Sequence, residues 1–180
     1  MPTAVTHLLV PIFIASLFRD YILRKQTKKK FPLHYVMIAG IGGVLPDIDI
    51  LFWLFLKPFG YAIEQVHRNW IHSIFIPLFF IFLALLLYKI NVNPHRKHIL
   101  NLGIICLALA FGTSMHIILD GLISGEVHPI APLSDYELGF NLVNYLPDYL
   151  SGLAIPLFEG ILLLLWLVYL EWKHKISDFI

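Results

Sequence analysis

Five apolar stretches divide the chain: Ala4 to Leu23, Phe31 to Leu56, Asn69 to Tyr88, Ile99 to Leu122 and Pro156 to Trp172. None shows the period-two alternation of a transmembrane strand, so the pattern predicts an all-α, polytopic membrane protein with about five transmembrane helices. The second stretch is interrupted. Its apolar run reaches Leu45, Pro46 and two aspartates break it, and Ile50 to Leu56 resumes. One span followed by a short interfacial piece is the simplest reading.

Composition agrees. Of 180 residues, 58% are hydrophobic and 14% charged, where a soluble domain carries roughly a quarter charged residues. A span needs about 20 residues, so residues 1–180 form a single integral-membrane domain with no room for a separate soluble one. The net charge of +1 is far below what a nucleic-acid partner requires. Cys106 lies inside an apolar run, so neither a disulfide framework nor a cysteine zinc site is expected. The first apolar run lacks a basic segment before it and a small-residue cleavage site after it, so no removable signal peptide is expected.

The distribution of charge sets an orientation. Arg24, Lys25, Lys28, Lys29 and Lys30 follow the first stretch, Lys89, Arg96 and Lys97 the third, and Lys173 and Lys175 the fifth. With five spans these clusters share one side, which the positive-inside bias makes cytoplasmic, with the N-terminus outside and the C-terminus inside. Between His98 and Glu171 there is no lysine or arginine, although Asp120, Glu126, Asp135, Glu137, Asp148 and Glu159 lie there. Exclusion of positive residues from translocated loops explains this stretch; so does balance of its acidity by bound cations.

Ionisable residues inside or at the ends of spans cost about 2.5 to 3.5 kcal/mol for an aspartate at a helix centre, and are functional candidates by default. His7 opens the first span, Asp47 and Asp49 end the second, His67 and His72 open the third, and His116 and Asp120 close the fourth. In the five-span topology all seven lie at the outer face. His116 and Asp120, four apart, share one face of a helix. Asp47 and Asp49, two apart after a proline, would point the same way from an extended turn. His67 and His72, five apart, would diverge on a continuous helix, which places His67 in the loop before it. Imidazole and carboxylate together suit zinc, manganese or iron, whereas calcium and magnesium sites rarely use histidine. Seven candidates exceed what one zinc ion needs, so one or two ions are expected, with Asp47 or Asp49 able to bridge them. His34, His95, His98 and His174 fall on the cytoplasmic side and are read as ordinary polar residues.

At these positions the chain resembles the YdjM-like inner-membrane proteins, a family of membrane-bound proteins read as metal-dependent hydrolases. Their pattern is an N-terminal T/G-H, then G-x-L-P-D-x-D, then H-R-G-x-T-H-S, then H-x-x-x-D followed by a glycine and a proline. The matches here are His7; the run Gly43 to Asp49; His67, Arg68, His72 and Ser73; and His116, Asp120, Gly125 and Pro129. Asn69 and Ile71 depart from the third block, and Pro11 stands four after His7 where glycine is common. The resemblance implies a multi-span helical membrane protein and a hydrolase. More remotely, the order of His and Asp residues is similar to that of zinc-dependent phospholipase C, with His128 as a further candidate ligand.

These readings lead to metal-assisted hydrolysis at the outer membrane interface. A zinc-class ion lowers the pKa of bound water from about 15.7 toward 7; Asp47 or Asp49 would accept the proton, and Arg68 would hold an anionic group. Ser73 fits hydrogen bonding near the helix start better than a nucleophile's role. The expected partners are membrane lipids, including a lipid or lipid-linked phosphoester as substrate. The loop from Ser124 to Asp148, with Tyr136, Tyr145 and nearby Tyr149, is long enough for a lid or headgroup wall. The alternative is a non-enzymatic metal-binding regulator or scaffold. A transporter fits less well, because the polar groups gather at one face and Gly40, Gly42 and Gly43 suit close helix packing.

Overall fold

In the computed structural model, the described residues are 3–23, 31–63, 67, 70–92, 99–123 and 125–175; the side chains of Trp70 and His174 are not among them. Arg68 and Ser124 therefore lie outside the described residues, as do His95, His98 and the basic residues 24–30.

Among the described residues the protein is all-α apart from one pair of two-residue strands and one isolated β-bridge, with six helices in order: α1 (Ala4–Leu23), α2 (His34–Val44), α3 (Asp49–Leu56), α4 (Phe75–Leu87), α5 (Leu102–Ile123) and α6 (Asp148–His174). Strands β1 (Asn91–Val92) and β2 (Leu100–Asn101) pair antiparallel between α4 and α5. Among the described residues, four segments are long and apolar enough to cross a membrane: Ala4–Tyr21, His34–Phe59, Leu102–Ile123 and Asp148–Lys173.

Three expectations are corrected. The second apolar stretch is not a span followed by a separate piece. A 3-10 turn, Leu45–Ile48, joins α2 to α3, and a second 3-10 turn, Lys57–Phe59, ends the run. Pro46 sits at the start of the first turn, where a residue without an N–H costs no helical hydrogen bond. Asp47 and Asp49 are consequently helical rather than extended, and two residues apart on a helix they point in different directions. The third stretch yields only thirteen helical residues in α4, about 20 Å of rise, well short of a bilayer core of about 30 Å. The chain before it is used in a 3-10 turn, Trp70–His72, and in the Ile74 N–H donating to the Pro129 carbonyl (2.9 Å). The fifth stretch begins at Asp148 rather than Pro156, which lies inside α6.

The centre of the bundle is α5, with α2 between it and α1, and α4 on its other side. Close approach is set by glycines. A Cβ on Gly112 would overlap the Ala39 carbonyl and the backbone of Gly42, and one on Gly43 would overlap the His7 carbonyl and the Pro11 ring. Since helix association in a bilayer gains little from apolar burial, small residues that admit another backbone decide which faces meet. Leu9, Val10, Leu119 and Leu162 form one apolar cluster; Ile12, Ala15, Val36 and Ala39 form another, and Trp166 of α6 touches both.

Candidate metal centre

The close contact of α1, α2 and α5 brings their polar residues to one end of the bundle. From α1 comes His7, buried beside Thr6. Pro11, four residues later, has no N–H to offer the His7 carbonyl, and Gly43 of α2 packs against that carbonyl. The turn after α2 brings Asp47, and the first residue of α3 is Asp49. His116 and Asp120 project from the last two turns of α5. His72 ends the 3-10 turn before α4, and His67 stands in the segment leading into that turn. All seven expected residues therefore meet in one cluster, in which His72 and His116 are 0% exposed.

Contacts around the ring nitrogens separate two roles. His116 Nδ1 lies 2.7 Å from the Gly43 carbonyl oxygen; a carbonyl only accepts, so Nδ1 carries the proton and the Nε2 lone pair faces the cluster. Asp49 lies against two Nδ1 atoms, that of His67 at 2.9 Å and that of His72 at 3.4 Å. It directs the remaining nitrogen of each ring elsewhere. His72 Nε2 faces Asp47 Oδ1 at 3.7 Å and Asp120 Oδ2 at 3.9 Å. The two aspartates thus face opposite nitrogens of one ring, neither within hydrogen-bond contact of it.

Asp120 and Asp47 face nitrogens at longer range. His7 Nε2 is 3.3 Å from Asp120 Oδ1, and His116 Nε2 is 3.5 Å from Asp120 Oδ2 and 3.6 Å from Asp47 Oδ1. Beyond about 3.2 Å an N–H···O bond is weak. Two ligands each about 2.0–2.1 Å from a tetrahedral ion, however, stand about 3.3 Å apart. The nitrogens and carboxylate oxygens therefore have the spacing of a ligand shell. His72 Nε2 and His116 Nε2 are buried and lack a hydrogen-bond partner among the described residues, a costly state for a polar atom unless something else satisfies it.

Three overlapping groups can each hold an ion: His7, Asp47 and His116; Asp47, His67 and His72; and His72, His116 and Asp120. Asp47 belongs to the first two. Asp49 belongs to none of the three, in keeping with its position on the Nδ1 side of the rings. His128 belongs to none either, although its Nδ1 is also buried without a hydrogen-bond partner among the described residues. The rings themselves are packed, His7 on His116 at 3.8 Å between centroids and His72 edge-on to His116 at 4.9 Å. Ser73 is buried next to His72 at the start of α4.

Two supporting features were not legible beforehand. One is the Gly43 carbonyl, a backbone atom with no signature in the sequence. The other is Glu159 of α6, which accepts hydrogen bonds from the Thr3 hydroxyl, the Thr6 hydroxyl (2.7 Å) and the Thr6 N–H (3.2 Å). It secures the turn of α1 that carries His7; the adjacent Thr6 and an isolated glutamate in an apolar helix were its only sequence signals. Residues 125–147 close this end of the bundle. Val127 and Leu138 form a β-bridge, and the Phe140 N–H donates to the Gly121 carbonyl at 2.6 Å. Tyr136, Tyr145 and Tyr149 are exposed.

The chain belongs to the YdjM inner membrane protein family, whose model matches residues 1–176. No curated protein and no solved structure matches it. The family places the helical spans in the inner membrane, and the buried His/Asp cluster is suggestive of a metal site.

Proposed function

We propose that this protein is a metal-dependent hydrolase of the inner membrane, acting on a lipid or lipid-linked phosphoester at the outer face. The observation that carries the reading is the buried set of imidazole nitrogens and carboxylate oxygens 3.3–3.9 Å apart. That spacing is long for direct hydrogen bonds and matches ligands sharing an ion. The donor set is nitrogen and oxygen, as zinc, manganese and iron prefer.

His7, His67, His72, His116 and Asp120 would hold one or two ions, and Asp47, common to two groups, would bridge them. When bound, such an ion supplies a Lewis acid that activates water and polarises the substrate's phosphoryl oxygen. Asp47 is the natural proton acceptor, because its side chain is 20% exposed whereas Asp49 and Asp120 are each 3% exposed. Asp49 acts instead as a positioning residue, accepting from His67 Nδ1 at 2.9 Å so that the other nitrogen of that ring stays unprotonated for the ion, and lying 3.4 Å from His72 Nδ1. Arg68, adjacent in sequence to His67, would hold the anionic group of the substrate. In the proposed orientation the cluster faces outward and the C-terminus is cytoplasmic, which follows from the lysine and arginine clusters.

The test is metal content by mass spectrometry on detergent-purified protein, followed by a phosphoester screen. About one to two equivalents of zinc, manganese or iron are expected in the unaltered protein and fewer in His116→Ala. Absence of metal even after reconstitution with added ions would overturn the hydrolase, and the cluster would then be a hydrogen-bonded network.

A further inference from the structure

A cavity of about 900 Å³ leads away from the cluster between α1 and the α2–α3 run. His7, Asp47, His67 and Asp120 lie at its inner end, while Val5, Leu8, Ile41, Leu45, Ile48 and Leu51 form apolar walls. Val5, Ile41, Ile48 and Leu51 are each more than 40% exposed, and both walls belong to membrane-crossing segments. The cavity therefore opens sideways, toward lipid.

Two independent rulers give its depth. Helix α6 has 27 residues, about 40 Å, with Asp148 and Tyr149 at one end and Trp172 and Lys173 at the other, the residue types that mark membrane interfaces. Glu159 lies eleven residues beyond Asp148, about 16 Å along the helix, and it is there that Thr3 and Thr6 are bound. Allowing about 5–7 Å for the headgroup layer, His7 lies about 10 Å inside the hydrocarbon boundary. Helix α4 gives the same answer. Its far end reaches the start of α5, where the Leu102 N–H donates to the Ile90 carbonyl, yet it rises only about 20 Å of a core of about 30 Å. Its His72 end thus falls about 10 Å short of the boundary. Residues 125–147 occupy the space above.

We infer that the cavity is a lateral entrance for a membrane lipid, with one acyl or prenyl chain lying between α1 and α2–α3 and the phosphate head at the His/Asp cluster. This rests on the hydrolase reading for the head and on the cavity alone for the chain. A chain leaving the bilayer for an apolar groove gains almost no hydrophobic free energy, because lipid tails are as apolar as leucine. The groove therefore selects by position, and the head supplies affinity. A cluster below the boundary, capped from above and open to lipid, favours substrates already in the membrane over soluble phosphoesters.

The experiment uses the full chain in phosphatidylcholine vesicles doped with a phosphatidic acid that carries a photoactivatable diazirine on one acyl chain. Cross-links are mapped by mass spectrometry. Labelling of Val5, Leu8, Ile41 and Ile48 should exceed that of Leu157 and Leu164, lipid-facing residues of α6, by about tenfold, a free-energy difference of about 1.4 kcal/mol. The excess should fall on metal chelation and in Ile41→Trp, which fills the groove at an exposed position and leaves metal content unchanged. Equal labelling of the groove and α6 would overturn the entrance while leaving the hydrolase intact. Groove labelling that ignores the chelator would overturn placement of the phosphate at the cluster. Protein that binds no metal yet labels in the groove would overturn the hydrolase and keep the entrance. If Ile41→Trp does not fold, the map on the unaltered protein decides.

Discussion

Asp120 and Glu159 are both carboxylates within apolar membrane-crossing helices, and both reach the first turns of α1. Their surroundings differ. Glu159 receives direct hydrogen bonds from two threonine hydroxyls and an N–H, all on Oε1, so that oxygen is satisfied by protein. Asp120 faces three imidazole nitrogens at 3.3–3.9 Å, the spacing of neighbouring atoms that could share one ion. A carboxylate in a membrane helix is thus no signature of one role. The spacing of its partners distinguishes a fastener from a ligand.

The helices that carry them differ in the same sense. Helix α5 is central, with Gly103, Cys106, Ala110, Gly112 and Thr113 buried, Gly103 against the end of α4 and Gly112 against α2. Helix α6 leaves most of its side chains exposed and is held by Leu162, Trp166, Glu159 and a hydrogen bond from the Tyr169 hydroxyl to Asp20. Both are long apolar segments in sequence, so apolarity alone does not rank them. Small residues that admit a neighbouring backbone do.

The largest separation is expected between Asp120→Asn and Glu159→Gln. On the proposed metal reading, Asp120→Asn should lower metal affinity by more than the roughly 10- to 100-fold that loss of a supporting partner costs. Glu159→Gln should keep the metal and lose at most about 1–2 kcal/mol of stability. Metal titration and thermal unfolding in detergent measure the two. Equal metal loss in both would remove the distinction between ligand and fastener.

Asp49→Asn sharpens the comparison from within the cluster. As a residue that orients His67 and His72 without binding the ion, it should cost about 10- to 100-fold in metal affinity, less than Asp120→Asn. Affinity falling as far as in Asp120→Asn would make Asp49 a ligand. The smallest effects belong to the helices. Gly112→Ala on α5 should destabilise by about 1–3 kcal/mol, since its new methyl meets backbone that cannot rotate away. Gly160→Ala on α6, with open space around the added methyl, should be neutral or stabilising by up to about 1 kcal/mol. Unfolding midpoints of the two variants test this pair, and a large loss at Gly160 would show that α6 packs against more than the described contacts.

Much of the fold and site was legible in advance, and unevenly so. Helix α1 runs from Ala4 to Leu23 as its apolar pattern predicts, because a largely apolar run, its Arg19 and Asp20 near one end, leaves one way to satisfy its backbone in lipid. His116 and Asp120 were readable as a pair because four residues is one turn of a helix. The turn at Pro46 was misread: proline forbids a helix interior but suits a first turn, and the sequence does not say which it occupies. Helix α4 was overestimated because Trp70 to Ile74 are apolar enough to continue a span, whereas Trp70–His72 form the 3-10 turn that presents His72.

What the sequence determined by itself is the class of molecule and its chemical vocabulary: an all-α membrane protein with seven candidate histidines and aspartates at the ends of its apolar runs. Those properties depend on local composition and on the period of a helix, which each segment carries alone. Only the tertiary structure decided how the residues divide their work. Asp49 lies behind two rings, Asp47 lies in front at the inner end of the cavity between α1 and α2–α3, and a glycine carbonyl sets the proton on His116. These roles depend on which nitrogen faces which oxygen, and that is set by backbones meeting at Gly43 and Gly112.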